Sequence, residues 1–192
     1  GPVPKAAAPE DGPVLLTDVV DRTLIMTLNR PQAMNAVNAE LAGAIADALE
    51  RAKDDADIWT VVVTGTGRAF CAGADLKAAS RGEPAMPAGN EAWGWAGFVS
   101  HWIPKPVIAA VNGYALGGGT EIMLASDLAV ALETAEFGLP EVKRGIIAGA
   151  GGSFRLPRQI PWKVGLEMLY TGEPITARRA LEFGLINKVV PA

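Results

Sequence analysis

Two residue patterns alternate along the chain: short runs of β-branched and aliphatic residues, and longer stretches in which apolar residues recur at every fourth position. Residues 14–20 and 23–28 are runs of the first kind around a polar pair, which predicts a β-hairpin. After Asn38, a candidate N-cap, leucine and isoleucine recur at four-residue spacing up to Leu49. This pattern predicts an amphipathic helix over residues 39–53.

The same alternation continues through the rest of the chain. Mostly apolar runs predict buried strands at residues 59–64, 106–111 and 128–132. Helices are predicted over residues 120–126, 154–160, 163–171 and 177–183, followed by an extended segment at 186–190. Strands alternating with helices indicate an α/β fold in which the loops at strand ends carry the chemistry.

Composition narrows the class of protein. The 192 residues include 22 glycines, yet glycine shows no Gly-X-Y period and 49% of the residues are hydrophobic, which excludes collagen-like and disordered classes. Residues 1–13, rich in Ala and Pro, are predicted to be a disordered leader or a remnant of recombinant expression. Residues 14–192 are predicted to form a single domain.

Charge and cysteine content remove further classes. Seventeen Lys and Arg against 21 Asp and Glu give a formal net charge of -4, and the basic residues are scattered, so no nucleic-acid partner is expected. With one cysteine, Cys71, and one histidine, His101, neither a disulfide nor a metal site is expected, and both side chains are predicted to be structural. No apolar run approaches the ~18 residues of a membrane span, so a cytoplasmic protein without a membrane partner is expected.

Glycine concentrates in two loops, residues 68–77 and 112–121. Each loop follows a predicted buried strand and runs into a helix, so each can present free backbone N–H groups. Two such donors aimed at one carbonyl oxygen would form an oxyanion hole, worth ~10² to 10³ in rate. For either loop alone, the alternative is a tight turn with close helix packing. The glycine motifs of dinucleotide-binding folds, P-loop NTPases and α/β-hydrolases are absent from the sequence.

Together with a third segment, Phe137 to Val142, these loops resemble the crotonase superfamily, also called the enoyl-CoA hydratase/isomerase family. The resemblance follows the family's order from about Val14 to Pro191. The matching pieces are Arg30-Pro31, Asn35-Ala36, residues 70–76, 104–113, 117–121 and 137–141, with a weaker match over residues 169–190.

The resemblance implies an α/β fold of repeated ββα turns of a spiral, assembled as a homotrimer or homohexamer. It implies an acyl-CoA thioester as substrate and no cofactor besides that coenzyme A. The implied reaction, typical of fatty-acid β-oxidation, adds water reversibly to a trans-2-enoyl-CoA to give a 3-hydroxyacyl-CoA. Family members usually continue past the segment that matches residues 186–190 into several more helices, so the C-terminal helical region is expected to be missing here.

The resemblance also assigns site residues. It places the oxyanion hole on the backbone N–H groups of Ala74 and Gly118, and the two catalytic carboxylates on Glu121 and Glu141. Hydration needs a base for water and an acid for the α-carbon, and two nearby carboxylates with divergent pKa values supply both. Glu121 is expected to deprotonate water, and Glu141 to exchange the proton at the α-carbon. The residues that match the region lining coenzyme A are Ala36, Ala72, Asp75, Leu76 and Lys77, with Lys77 a candidate for its phosphates.

Aromatic residues crowd the segment after residues 81–90. Trp95, Phe98 and Trp102 would share one face if this segment were helical. A variable helix at this place in the family borders the acyl group, so Trp95 and Phe98 are candidate acyl-pocket residues. The alternative is an ordinary core stripe.

Other functions remain open on the sequence. A Δ3,Δ2-enoyl-CoA isomerase needs the oxyanion hole and one base, expected at Glu141, and other acyl-CoA reactions can use the same enolate-stabilising site. A non-catalytic acyl-CoA carrier would keep the fold without turnover, and the presence of both Glu121 and Glu141 argues against it. Taken alone, Glu121 could simply be an acidic residue that stabilises the start of a helix, and Glu141 and Lys77 could be ordinary surface residues.

Overall fold

A computed structural model describes residues 12–192 of the chain, so most of the predicted leader, residues 1–13, lies outside the described residues. The strands are β1 (Leu15–Val20), β2 (Thr23–Leu28), β3 (Thr60–Gly65), β4 (Ala69–Cys71), β5 (Val107–Val111), β6 (Tyr114–Leu116), β7 (Leu128–Leu132), β8 (Glu136–Gly138), β9 (Ile175–Thr176) and β10 (Lys188–Val190). The α-helices are α1 (Ala39–Asp54), α2 (Leu76–Ser80), α3 (Gly118–Ala125), α4 (Gly152–Gln159), α5 (Trp162–Thr171) and α6 (Ala177–Glu182). Short 3₁₀ turns lie at Pro31–Ala33, Glu91–Trp93, Trp95–Gly97 and Pro140–Arg144.

A six-stranded sheet, in the order β1-β2-β3-β5-β7-β10, carries most of the predicted strands. Its neighbours are parallel except for β1 and β2, which form the predicted hairpin. Asp21 and Arg22 at the hairpin turn both have positive φ, 46° and 64°, as a two-residue turn between twisted strands requires. Along β2, every second side chain is fully buried, so one face of this strand lies against the core.

A second sheet of four short strands, in the order β4-β6-β8-β9, is not predicted by the sequence pattern. Its strands have only two or three residues each, too few to show the alternation by which strands are recognised. The three residues of β4 are all buried. Three apolar residues in a row indicate that the segment is buried, but they do not distinguish a strand from a helix.

The two sheets are joined by a repeated connection. In each of three turns, one strand enters the large sheet, the next enters the small sheet, and a helical segment follows: β3-β4-α2, β5-β6-α3, and β7-β8 with the 3₁₀ turn Pro140–Arg144. Strands β4, β6 and β8 are parallel neighbours, so their carboxyl ends lie side by side. The loops that leave them therefore meet at one edge of the small sheet, as the ββα spiral implies.

The helix predictions are confirmed where N-cap and periodicity agree. The Asn38 side chain accepts a hydrogen bond from the Leu41 N–H at 3.0 Å, at the start of α1. Thr176 accepts one from the Arg179 N–H at 3.3 Å, at the start of α6. No helix among residues 12–192 is long and apolar enough to cross a membrane.

The prediction that Trp95, Phe98 and Trp102 share one face of a helix is wrong. Ala96 has a positive φ of 62°, which breaks any continuous helix through this segment. Phe98 is only 5% exposed and packs in the hydrophobic core, whereas Trp102 is 79% exposed. The three side chains consequently point to different surroundings.

Asn35 connects the turn after β2 to the connection between β3 and β4. It is fully buried and has a positive φ of 56°, which asparagine tolerates better than most residues. Its Oδ1 accepts from the Arg30 N–H at 2.8 Å, and its Nδ2 donates to the carbonyls of Thr66 and Ala69 at 2.9 and 2.8 Å. One side chain thus satisfies three backbone groups.

Replacing Asn35 by alanine is expected to lower the free energy of unfolding by about 3 kcal/mol, because three hydrogen bonds to the backbone are lost and Ala is strained at positive φ. Urea denaturation followed by circular dichroism measures this change. Gln32→Ala, an exposed change in the same turn, is the control and should be nearly neutral. A loss below about 1 kcal/mol for Asn35→Ala would contradict the assigned role.

Candidate active site

A cavity of about 1260 Å³ opens where the loops after β4, β6 and β8 meet. It is lined by ten of the eleven residues that the resemblance assigns to the site: Ala36, Ala72, Ala74, Asp75, Leu76, Lys77, Trp95, Gly118, Glu121 and Glu141. The exception is Phe98, a candidate for the acyl pocket, which packs in the hydrophobic core after the turn at Ala96 and does not line the cavity. Trp95 alone of the two aromatic candidates lines the cavity.

The two glycine-rich loops are in direct backbone contact. A Cβ atom at Gly119 would lie 1.9 Å from the carbonyl oxygen of Cys71, and one at Gly113 would lie 2.0 Å from that of Arg68. Gly117, with φ of 53°, turns the chain from β6 into α3. Only residues without a side chain permit this approach and turn.

Two backbone N–H groups face the cavity from these loops. The Val37 N–H donates to the Gly73 carbonyl at 2.8 Å, and the Asp75 N–H donates to the Val37 carbonyl at 2.9 Å, so Ala74 between them directs its own N–H away from this bridge. Gly118 is the first residue of α3. Within residues 12–192, neither the Ala74 nor the Gly118 N–H has a hydrogen-bond acceptor. Both are therefore free to bind an oxygen atom in the cavity.

Glu121 lies in the first turn of α3 and is only 3% exposed. Its Oε1 accepts a hydrogen bond from the Gly152 N–H at 2.8 Å. Burial, opposed by the Gly152 N–H and assisted by the charge of Glu141, raises the pKa of Glu121 to about 7. This carboxyl group can therefore gain or lose a proton near neutral pH.

Glu141 reaches the cavity from the 3₁₀ turn after β8. Its Oε1 lies 3.1 Å from the position that a Cβ at Gly117 would occupy, beside the turn that leads to Gly118. Its Oε2 is buried and has no hydrogen-bond partner among the described residues. Burial also raises the pKa of Glu141. Two carboxylates with raised pKa values thus share one cavity, an arrangement typical of functional sites.

Asp75 differs from both glutamates because its carboxylate is fully paired. Its Oδ1 accepts from the N–H groups of Lys77 and Ala78 at 3.0 and 3.1 Å, and its Oδ2 pairs with Arg30 at 2.8 Å. The Arg30 guanidinium lowers the pKa of Asp75 and also donates to the Ala36 carbonyl. Asp75 therefore holds the wall of the cavity in place.

Four arginines on the cavity wall are functional candidates that sequence reasoning misses. They are Arg30, Arg68, Arg144 and Arg155. They are far apart in the chain and no single motif contains them, although Arg30 lies in a matched piece and Arg68 begins the first glycine-rich loop. Together with Lys77, they give the cavity wall a positive charge suited to an anionic ligand.

Cys71 and His101 have the structural roles that the sequence predicts. Burial raises the pKa of the Cys71 thiol to about 12, which keeps it neutral. The His101 ring is buried, stacks on Trp93 and lies 2.7 Å from Glu50 Oε1. Among residues 12–192, no cluster of three or more His, Cys, Asp or Glu side chains could hold a metal ion.

Comparisons with known proteins agree with this geometry. The family model for enoyl-CoA hydratase/isomerase matches residues 21–192. The enoyl-CoA hydratase EchA19 of Mycobacterium tuberculosis is 42% identical over 189 residues, which cover 96% of this chain and 71% of that protein. The (E)-benzylidenesuccinyl-CoA hydratase of Thauera aromatica is 43% identical over 191 residues, which cover 93% and 70%.

A solved structure extends the agreement to the backbone. The crystal structure of carnitinyl-CoA hydratase from Mycobacterium avium matches with a TM-score of 0.92 at 56% identity, covering 94% of this chain and 69% of that one. The family match, the relatives and this shared architecture lead to one conclusion: the chain belongs to the enoyl-CoA hydratase/isomerase family and has the crotonase fold.

Proposed function

We propose that the chain is an enoyl-CoA hydratase, which adds water reversibly to a trans-2-enoyl-CoA and gives a 3-hydroxyacyl-CoA. The observation that carries this proposal is the pair of buried carboxylates, Glu121 and Glu141, in one cavity with two free backbone N–H groups. The names of the three relatives share hydration at a CoA thioester and differ in the acyl group. The reaction type is therefore better supported than any particular acyl group.

The N–H groups of Ala74 and Gly118 bind the thioester carbonyl oxygen. When water attacks the β-carbon, negative charge moves onto this oxygen as an enolate forms, and two fixed donors stabilise that charge more than they stabilise the substrate. The bridge from Val37 and the glycine contacts hold both donors in place before substrate binds. No reorganisation is then needed when the charge develops.

The glutamates move the protons. Ionised Glu121 takes a proton from water as the water oxygen bonds to the β-carbon, and protonated Glu141 delivers its proton to the α-carbon, where the enolate's electron pair forms the new C–H bond. Burial raises both pKa values, and the charge on Glu141 raises that of Glu121 further, so the pair readily holds one proton. Hydration uses the singly protonated pair in the form in which Glu141 carries the proton and Glu121 is ionised.

Coenzyme A is bound as part of the substrate and no separate cofactor takes part. Ala36, Ala72, Asp75 and Leu76 line its path, and the exposed Lys77 is placed to meet its phosphates. Assembly as a homotrimer or homohexamer stays a prediction from the family resemblance.

Glu121→Gln is expected to lower kcat for the hydration of crotonyl-CoA by about 10² to 10⁴, because the variant lacks the base for water. It should largely spare isomerisation of a 3-enoyl-CoA, which needs Glu141 alone, whereas Glu141→Gln should impair both reactions. The absorbance of the conjugated enoyl thioester measures both reactions, since hydration removes the conjugated double bond and isomerisation forms it.

Glu133→Gln, an exposed change far from the cavity, is the control for these variants. Near-normal hydration by Glu121→Gln would overturn the assignment of the base. Tight binding of crotonyl-CoA by the parent protein, with no change in absorbance, would instead support an acyl-CoA carrier.

Glu121 also predicts how stability depends on pH. Its pKa is about 7 in the folded protein against an ordinary 4.5, so the folded state binds the proton more tightly and loses up to about 3 kcal/mol of stability as the pH rises through this interval. Glu121→Gln removes this loss. The variant should therefore be more stable than the parent in urea unfolding at pH 8, and no more stable at pH 4.5. Equal or lower stability at pH 8 would count against a raised pKa.

Trp95 is expected to limit the size of the acyl group. Its ring lies against the Cα of Gly118, since a Cβ there would meet ring atoms at 2.1 to 2.6 Å. A thioester bound at the Gly118 N–H therefore places its acyl chain beside this ring. Trp95→Ala should shift kcat/KM by about tenfold or more in favour of long or bulky acyl groups over crotonyl-CoA. Trp102→Ala, at an exposed position, is the control, and an unchanged acyl preference in Trp95→Ala would refute this role.

A further inference from the structure

Among residues 12–192, Arg155 is the one charged residue of the cavity that is partly buried, has no carboxylate partner and has no role in the mechanism above. It lies in α4, and no salt bridge within residues 12–192 includes it. A buried guanidinium normally pairs with an acid, because leaving water is costly for a charge. Here Nη2 donates to the Val99 carbonyl at 2.6 Å, and Nη1 donates to the Ala150 carbonyl at 3.4 Å.

The two carbonyl groups belong to different walls of the cavity. Val99 lies one turn after Trp95, and its N–H donates back to the Trp95 carbonyl at 3.2 Å. Ala150 belongs to the loop whose Gly152 N–H binds Glu121 at 2.8 Å. The guanidinium thus connects the segment that carries Trp95 to the loop that holds Glu121.

The loop lies close against this side chain. Gly151 has a positive φ of 110°, and a Cβ there would lie 2.3 Å from Nη1 of Arg155. The charge of Arg155 also lowers the pKa of Glu121, against the effects of burial and of Glu141. It therefore favours the ionised carboxylate that hydration requires as its base.

We propose that Arg155 is a positioning residue of the hydratase site, which holds the Glu121 loop and the Trp95 segment together and brings a positive charge to the cavity wall beside that loop. This inference rests on the proposed function, since it assigns Glu121 as the base and Trp95 as the acyl wall. Arg155 acts through these two residues and takes no part in bond making.

Two variants separate its two effects. Arg155→Gln removes the charge, and Arg155→Lys keeps the charge but replaces the planar fork that reaches two carbonyls with a single ammonium group. When kcat/KM for crotonyl-CoA is measured against pH, the rise on the acid side reports ionisation of the base in the free enzyme. We call this rise the acid limb. It should move upward in Arg155→Gln and stay in place in Arg155→Lys.

The acyl preference tests the connection to Trp95. Both variants should lose several-fold of the discrimination between crotonyl-CoA and a bulky enoyl-CoA, in the direction expected for Trp95→Ala. Arg158→Gln, an exposed change on the same helix, is the matched control and should alter neither the pH profile nor the preference. The proposal is overturned if Arg155→Gln leaves both the acid limb of the pH profile and the acyl preference at the parental values. It is also overturned if both variants lose kcat equally and the acid limb does not move.

Failure of the proposed function would be distinguishable from failure of this inference. If the parent protein does not hydrate any enoyl-CoA, the proposed function is wrong. The role of Arg155 is then tested by the ratio of Kd values for butyryl-CoA and a bulky saturated acyl-CoA. A ratio that changes in Arg155→Lys and not in Arg158→Gln supports the connection to Trp95, and an unchanged ratio refutes it.

Discussion

The site depends on a contact between two stretches of backbone, the one that runs from Gly113 to Gly119 and the one that runs from Arg68 to Gly73. Carbonyl oxygens of the second stretch occupy the space that side chains at Gly113 and Gly119 would need. This approach allows β4 and β6 to pair and places Ala74 beside the start of α3. Since Glu121 follows Gly118 within the first turn of that helix, the same contact fixes the free N–H groups and the first carboxylate together.

Carboxylates in this cavity show how local partners decide the role of one chemical group. Asp75 is bound by Arg30 and by two N–H groups, its pKa is lowered, and it stays an ionised structural residue. Glu121 has one backbone donor for Oε1, and Glu141 has a buried oxygen without a partner. Both glutamates have raised pKa values because burial outweighs their few hydrogen bonds. The fold thus gives up stability at the two positions where the proposed mechanism moves a proton.

The sequence predicts the parts of the structure whose signals are local. The hairpin, the strands of the large sheet, the capped helix after Asn38 and the glycine loops each have a pattern within ten or so residues. The small sheet has no such signal, because its three-residue strands are defined by their neighbours in space. The arginine at position 155 likewise joins the site only through folding. Phe98 shows the opposite failure: a helical spacing is present, but the positive φ of Ala96, a residue type that gives no warning of it, breaks the face.

The broken segment around Trp95 nevertheless forms a defined wall, since it is held from two sides. On its outer side, the His101 ring is held by contacts of 3.0 Å to the Gly97 carbonyl and 2.7 Å to Glu50 Oε1. On its inner side, Arg155 binds the Val99 carbonyl. Between these anchors the Trp95 ring packs on the Cα of Gly118, where any side chain would displace it. The absence of a side chain at Gly118 therefore serves two purposes in the proposed site: it leaves the N–H open to the thioester oxygen and gives the Trp95 ring a surface on which to pack.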